Sequence, residues 1–352
     1  VKVVVTGASG NIGSALLARL VDDADVLGVA RRRPPATAPY AGASWAEVDL
    51  AAPDAVAALA PVVAGADAVV HLAWEFQPSH RRDQLESAGV GGTQAVIEAV
   101  REAGVPHLVH MSSVGAYSPG PGLRVDETWP TQGIPTLPYS RHKVAAERML
   151  DGLERQADRD ASPLVVTRLR PGFVMQRGAG SAFARDGVPA WLPTRLLRLV
   201  LLLPLDRRLP FPVVHSDDVA DALVGVLERQ PGGAFNLAAE PPVTRDTIAE
   251  VLGARAVHVP AWVLHAVLMA SWRLHLQPLE PGWLDLGMSV PLMDTARACR
   301  ELGWEPEHDA VATLAQALAG IADSAGTASP ALRPRSEPAE PATTGRRRAT
   351  AG

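Results

Sequence analysis

An α/β fold built on a doubly wound parallel sheet is what this sequence predicts, and three observations predict it. Short apolar, β-branched runs alternate with amphipathic stretches through the first half of the chain. The first such run, residues 3–6, opens into a turn with glycine at positions 7, 10 and 13. Far downstream, Tyr139 and Lys143 stand four residues apart in a stretch of helical period, which places both on one face.

The elements follow in order. Residues 3–6 read as a strand, 12–21 as a helix, 26–30 as a strand, 53–60 as a helix and 68–72 as a strand. A long helix fits 84–103, then a strand at 108–112, a helix at 139–156 and a strand at 164–169. Strands this uniformly apolar belong in a parallel sheet covered on both faces by helices. After Pro171 the pattern changes. Residues 172–211 are rich in Pro, Trp, Leu and Arg and show no period. Residues 213–215 and 235–237 read as returning strands around a helix at 219–229, and 240–320 is mostly helical and apolar. No internal repeat is visible.

Composition narrows the function. A chain of 352 residues, 47% hydrophobic and 20% charged, has the balance of an ordinary globular enzyme. A net charge of −5 provides no basic footprint, so no nucleic-acid partner is expected. The single cysteine, Cys299, has no partner for an internal disulfide; a reducing, cytoplasmic setting follows. No signal peptide is read at the start. The longest apolar run, 196–205, is broken by Arg198 and Pro204 and is too short to span a bilayer, so no integral membrane segment is expected. Arginine far exceeds lysine and alanine is abundant, a codon signature of a GC-rich bacterial genome.

Gly7, Gly10 and Gly13 lie between a predicted strand and a predicted helix. Glycine admits positive φ and close approach of backbone amides to a pyrophosphate, and the helix that follows turns its dipole to the same anion. In that context the triplet reads as a dinucleotide site of Rossmann type. The second strand ends at Ala30, followed by Arg31 and Arg32. An acid there would bind a ribose 2′-hydroxyl; a small residue followed by arginine suits a 2′-phosphate. NADP(H) is therefore favoured, with NAD(H) as the alternative. The expected organisation is a dinucleotide-binding domain of 1–171 plus 212–239, a smaller, mainly helical substrate domain of 172–211 plus 240–320, and a disordered tail, 321–352.

The chain resembles the extended short-chain dehydrogenase/reductases, the NAD-dependent epimerase/dehydratase family. The matching pieces are the turn at 6–13, Val48-Asp49-Leu50, His71-Leu72-Ala73, the stretch 111–117, Tyr139 to Lys143, Arg170-Pro171-Gly172, the stretch 215–220 and Leu302-Gly303-Trp304-Glu305-Pro306. The resemblance implies that Tyr139 is the general acid/base. It implies that Lys143 lowers the tyrosine pKa and holds the nicotinamide ribose. Ser113 would hydrogen-bond the substrate oxygen. Cofactor contacts would come from Gly7, Gly10, Asn11, Ile12, Gly13, Arg31, Arg32, Asp49, Leu50, Leu72, Ala73 and Pro171, with Asp49 on the adenine amino group. A homodimer through the two long helices is a further family expectation.

Departures from the family pattern bear on the substrate. Val114 and Gly115 stand where dehydratases carry Asp-Glu, which argues against water elimination. Phe173 and Phe211 stand where sugar-nucleotide enzymes hold a diphosphate, and phenylalanine leaves such a group unpaired. Gly89 replaces a common asparagine. The expected substrate lining is apolar: Trp74, Phe173 and Phe211 first, then Phe76, Trp191, Leu192, Trp262, Trp272 and Trp283. Glu75 reads as a loop acid, and Asp217 with Asp218 as helix caps. The histidines show no metal-ligand spacing, so no metal is expected. The favoured activity is reduction of a carbonyl on a moderately apolar small molecule by NADPH, or its reverse. The alternatives are a nucleotide-sugar epimerase with tightly bound NAD, and a non-catalytic NADP-sensing protein.

Overall fold

A computed structural model describes residues 1–75, 80–189, 191–207 and 209–334. The strands, in chain order, are β1 (Lys2–Thr6), β2 (Asp25–Ala30), β3 (Ser44–Glu47), β4 (Ala68–His71), β5 (His107–Met111), β6 (Arg124–Val125) and β7 (Val165–Pro171). They continue with β8 (Phe173–Met175), β9 (Leu202–Leu205), β10 (Phe211–His215), β11 (Gly233–Leu237), β12 (Ala239–Val243), β13 (Arg255–His258) and β14 (Leu292–Met293). The helices are α1 (Asn11–Leu20), α2 (Ala55–Val63), α3 (Arg82–Glu86), α4 (Gly92–Ala103), α5 (Pro138–Arg159) and α6 (Gly180–Gly187). Then come α7 (Ser216–Arg229), α8 (Arg245–Leu252), α9 (Ala261–Arg273), α10 (Gly282–Ser289), α11 (Ala296–Leu302) and α12 (Ala310–Ala322).

Seven strands form one sheet in the order β11-β7-β5-β4-β1-β2-β3, every pairing parallel. Side chains alternate across it. Val3 and Val5 of β1 enter a core with Leu16, Leu17 and Leu223 of α1 and α7. Val4 enters the opposite core with Leu59, Val96 and Leu150 of α2, α4 and α5. Each such valine, sealed from water, contributes roughly 1.5–3 kcal/mol. From β1 the chain runs outward through β2 and β3, then crosses to β4 on the other side. Thr6 and His71 face each other at that reversal, and a crevice opens beyond the carboxyl ends of β1 and β4.

Charge ties α5 to the sheet. Glu147 is 1% exposed and accepts hydrogen bonds from Ser112 (2.5 Å), from Arg170 Nε and Nη2 (2.9 Å each) and from Arg168 (3.1 Å). Burial alone would raise its pKa, but the Arg170 hydrogen bonds and charge outweigh that and hold it at about 2. Arg170 also donates to the Tyr117 hydroxyl (3.1 Å), which donates to Asn236 on β11 (2.6 Å).

The structure departs from the sequence reading in four places. Strand β3 escaped notice because it is a four-residue edge strand following a proline-rich stretch. Its Trp45 packs over β2 at Gly28, where a Cβ would lie 2.8 Å from the indole. The helix expected at 84–103 is present but bulged: α3 runs into α4 through a π-helical turn at Ser87–Gly91, with helical backbone throughout, in a stretch that holds three glycines. The region expected to be mainly helical holds strands as well. In it β12-β10-β8 form a sheet, with α12 packed on it, and β9 pairs with β13.

Finally, part of the stretch expected as disordered tail is folded. Ser329 donates to the carbonyl of Ser9, and Leu332 is 3% exposed. Arg185 donates to the carbonyls of Ala331 and Arg333 (2.7 Å each). Small residues make this possible: Gly180 and Gly320 bring α6 and α12 into backbone contact and aim the chain back at the glycine turn. Residues 335–352 lie outside the described residues.

Removing the carboxylate of Glu147 would leave Arg170 buried with no ion-pair partner among the described residues, and Arg168 with only the partly exposed Asp151 and Glu154. Glu147→Ala is expected to lower unfolding free energy by about 3–5 kcal/mol in urea titration. A loss below about 1 kcal/mol, the level of an exposed ion pair, would contradict the anchoring role.

Candidate active site

Strand β1 ends in the turn that builds one end of the crevice. Gly7 has φ +71°, and a Cβ there would lie 2.6 Å from the Ala73 nitrogen. A Cβ on Gly13 would lie 2.4 Å from the Gly7 carbonyl oxygen, so α1 can start this close to β1 only with glycine. The N-terminus of α1 carries no side-chain cap and no acid in its first turn. A tight turn delivering an uncapped helix start fits the pyrophosphate of a dinucleotide.

The cleft that runs from this turn has a volume of about 740 Å³. Gly7, Gly10, Asn11, Ile12, Gly13, Arg31, Arg32, Asp49, Leu50, Leu72, Ala73, Trp74, Ser113, Tyr139, Lys143, Pro171 and Phe173 all line it. Asn11 is held by donating to the Val174 carbonyl (3.1 Å) and accepting from Gln176 (2.7 Å). Asp49 accepts from the Ala51 amide (3.1 Å), which fixes the loop beyond β3.

At the other end of the cleft, α5 supplies Tyr139 and Lys143 one turn apart. Ser113 hydrogen-bonds the phenol, and its Oγ also accepts from the Gly115 amide (3.0 Å). Gly115 is under the ring: a Cβ there would come 3.2 Å from Tyr139 Cε1. Trp283 of α10 lies 5.2 Å from the phenol ring, centroid to centroid, and Trp74 packs edge-on at 6.3 Å.

The Lys143 ammonium is buried, donates to the Met111 carbonyl (2.8 Å) and sits 3.4 Å from the centre of the Trp74 indole. Burial pushes its pKa well down, against the opposing charge of Glu147 one turn on. The phenol is pushed up to about 12, chiefly by desolvation and against the Ser113 hydrogen bond. The expected effect of Lys143 on the tyrosine is not among the causes acting on the phenol here, where the ammonium is engaged by Met111 and Trp74. The glycine at position 89 explains the arrangement. A Cβ on Gly89 would lie 3.0 Å from the Trp74 ring, so the missing asparagine is what admits the indole.

Several other expectations change. Arg31 Nη1 pairs with Glu75 at 2.5 Å across the cleft mouth, so Glu75 is a specific partner rather than a free loop acid. Phe211 does not line the cleft; it packs edge-on behind Phe173 at 5.2 Å. Trp191 and Trp262 are 73% and 75% exposed, and neither they nor Leu192 and Trp272 line the cleft. Phe76 lies outside the described residues. Sequence reasoning missed Phe183, Leu279, Leu286 and the folded segment 330–333, all of which border the cleft. Only their proximity in three dimensions reveals them.

Beneath the floor, His71 bridges Thr6 (2.7 Å) and Thr93 (3.2 Å), while among the described residues neither ring nitrogen of His110 has a hydrogen-bond partner. Away from the cleft, His215, Asp217 and His308 gather with ligand atoms within 4.8 Å of one another. His215 Nδ1 is already the acceptor for the Asp217 amide and so caps α7 itself, while Asp218 accepts from the amides of Glu307 and His308.

The chain belongs to the NAD dependent epimerase/dehydratase family, which it matches over residues 3–238. It is 29% identical over 317 residues to an uncharacterised protein of Mycobacterium tuberculosis, covering 88% of this chain and 29% of that one. The chain thus spans under a third of that relative. It is 30% identical over 234 residues to a Stigmatella aurantiaca 4-hydroxy-2-methyl-3-oxo-4-farnesyl-3,4-dihydroquinoline-1-oxide ketoreductase, covering 65% of each. Among solved structures it resembles MoeE5 in complex with UDP-glucuronic acid and NAD. The TM-score is 0.65 at 23% identity, over 92% of this chain and 100% of that one. That likeness carries the fold. Among the described residues no helix is long and apolar enough to cross a membrane.

The buried histidines set a pH dependence. Folded His71 takes up a proton only near pH 3, because burial and then the Lys143 charge oppose it. An unfolded histidine does so near pH 6.5. Between those values the unfolded chain binds more protons, so stability rises with pH, by up to about 1.4 kcal/mol per pH unit for each such histidine. His110 shifts in the same direction. Urea unfolding between pH 5 and pH 6.5 is expected to show this slope, reduced in His110→Leu; an unchanged slope in that variant would remove His110 from the account.

Proposed function

We propose that the protein is an NADP(H)-dependent carbonyl reductase, or the reverse dehydrogenase, for a moderately apolar small molecule. The observation that carries this reading is the setting of Tyr139. The phenol stands beside Ser113, between the indoles of Trp74 and Trp283, with Phe173 on the same wall. Such walls reward apolar surface and offer a diphosphate no partner. A relative named as a ketoreductase of a farnesylated quinoline oxide is in keeping with a greasy substrate.

Bound nicotinamide supplies or receives the hydride. The chain's own residues manage the proton and the orientation. Ser113 donates to the substrate carbonyl oxygen and fixes it near the phenol. Tyr139 gives that oxygen its proton as it gains negative charge. A phenol at about 12 still donates downhill to an alkoxide, whose own pKa is higher, while the reverse step needs its phenolate, which is scarce near neutral pH. Lys143 must release Trp74 to act on the tyrosine, so Trp74 covers the lysine until the site fills. The aromatic walls exclude water from the reacting oxygen.

The preference for NADP(H) rests on Ala30 followed by two arginines. With Arg31 held by Glu75, the 2′-phosphate falls to Arg32 and to Arg333, which borders the same cleft from the folded tail. Cys299 and the family's chemistry suit a cytoplasmic setting, and a homodimer through α4 and α5 is part of this reading.

Purified protein is expected to oxidise NADPH in preference to NADH over a panel of alkyl and aryl ketones. Tyr139→Phe should lose about 10²–10⁴-fold in kcat, and Arg32→Ala should raise KM for NADPH about tenfold while leaving NADH use unchanged. Protein that purifies with NAD bound and turns over no ketone would put the nucleotide-sugar epimerase reading first.

A further inference from the structure

Ten of the twelve strongly exposed large apolar side chains among the described residues fall between positions 191 and 276. They include Trp191 (73% exposed), Leu201 (75%) and Trp262 (75%). The two segments that carry them are joined. β9 pairs in parallel with β13, Leu202 opposite Arg255, and the Asp206 carboxylate accepts from the Ala261 amide that starts α9. Helix α9 has apolar residues on every side and buries none of them. A helix of this kind is ordinarily packed in a core or set in lipid. Left in water it is an unpartnered face larger than scattered surface residues make.

Charge selects what covers it. Residues 191–207 and 255–276 contain Arg195, Arg198, Arg207, Arg255 and Arg273, against one acid, Asp206. Asp206 is 2% exposed and committed to α9, and Arg198 is answered by Asp323. The remaining arginines are exposed. The face is therefore basic on a chain whose net charge is −5. A second copy meeting it about a two-fold axis would oppose the same arginines to themselves. An anionic bilayer answers both features. Its headgroups pair with arginine, and its acyl boundary takes leucine and tryptophan, a residue suited to sitting with one edge wet.

We propose that this face, the β9–β13 pair with the preceding loop and α9, seats the protein on an anionic phospholipid surface. Docking there is peripheral. It also gives the cleft a lipid-side neighbour: Gln277 pins the turn after α9 by bonding the carbonyls of Leu268 and Leu279, and the chain then enters α10, whose Trp283 and Leu286 line the cleft.

Flotation of the full chain with vesicles tests this without using turnover, so it stands or fails apart from the catalytic reading. Binding is expected to vesicles of phosphatidylglycerol with phosphatidylcholine, to weaken with salt, and to be far weaker on phosphatidylcholine alone. Arg195→Gln with Arg273→Gln should lower affinity about fivefold for each charge removed, and Leu201→Gln with Trp262→Gln by about tenfold or more. These positions are exposed, so unchanged circular dichroism is expected and checks that the variants fold. The proposal is overturned if the chain does not float with anionic vesicles at low salt. It is overturned too if both double variants float as the parent does, which would assign binding to the arginines at 346–348. A dimer in light scattering that the Leu201/Trp262 variant dissolves would give the face to a second copy instead.

Discussion

One buried carboxylate holds the site together. Glu147 receives Ser112 from the end of β5 and Arg168 and Arg170 from β7, and it lies one helical turn beyond Lys143. Ser112 precedes Ser113, and α5 carries Tyr139. A single group therefore sets how far the serine stands from the phenol and how the lysine enters the cleft. Both arginines are sealed from water, and Arg170 has no other ion-pair partner among the described residues, whereas Arg168 also reaches Asp151 and Glu154. The network anchors α5, and with it Tyr139, against the sheet.

The two ends of the cleft obey different physics. At the glycine turn, backbone does the work: Gly7 and Gly13 are required by approach distances of 2.6 and 2.4 Å, and no other residue fits. At the Tyr139 end, side chains do it, in an environment that disfavours every charge. There the phenol is raised to about 12 and the lysine lowered. Both shifts favour the neutral forms, which suits a cleft whose walls are indole and phenyl. In the function we propose, an oxidised, positively charged nicotinamide bound beside the phenol would reverse part of that balance.

Much of this was legible in the sequence, for reasons that can be stated residue by residue. The parallel sheet covered by helices followed from the uniformly apolar runs such sheets demand, and the glycine turn and the Tyr139–Lys143 spacing are local patterns. What stayed hidden is what depends on residues far apart in the chain. The pairing of Arg31 with Glu75 links positions 44 residues apart, and the contact of Ser329 with Ser9 links positions 320 apart. The role of Gly89 could not be read as making room until Trp74 was seen over it. Phe211 was one shell too deep, behind Phe173, because strand register near Pro212 cannot be fixed from a pattern of alternating residues. The tail misled through composition: Ala, Pro, Ser, Thr, Glu and Arg with few large apolar residues read as disorder, yet Ser329 bonds the glycine turn and Arg185 of α6 bonds the carbonyls of Ala331 and Arg333.

We propose that Tyr139 is the acid/base group and that cofactor binding, through the release of Lys143, tunes it. The most direct measurement is the ultraviolet titration of tyrosinate in the parent and in Tyr139→Phe, with and without saturating NADP⁺. The chain has three tyrosines, so the difference between the two proteins isolates one phenol. The account predicts no Tyr139 phenolate below about pH 10 in the free protein, and its appearance nearer neutral pH when NADP⁺ is bound. A phenol that titrates identically with and without the nucleotide would contradict the account.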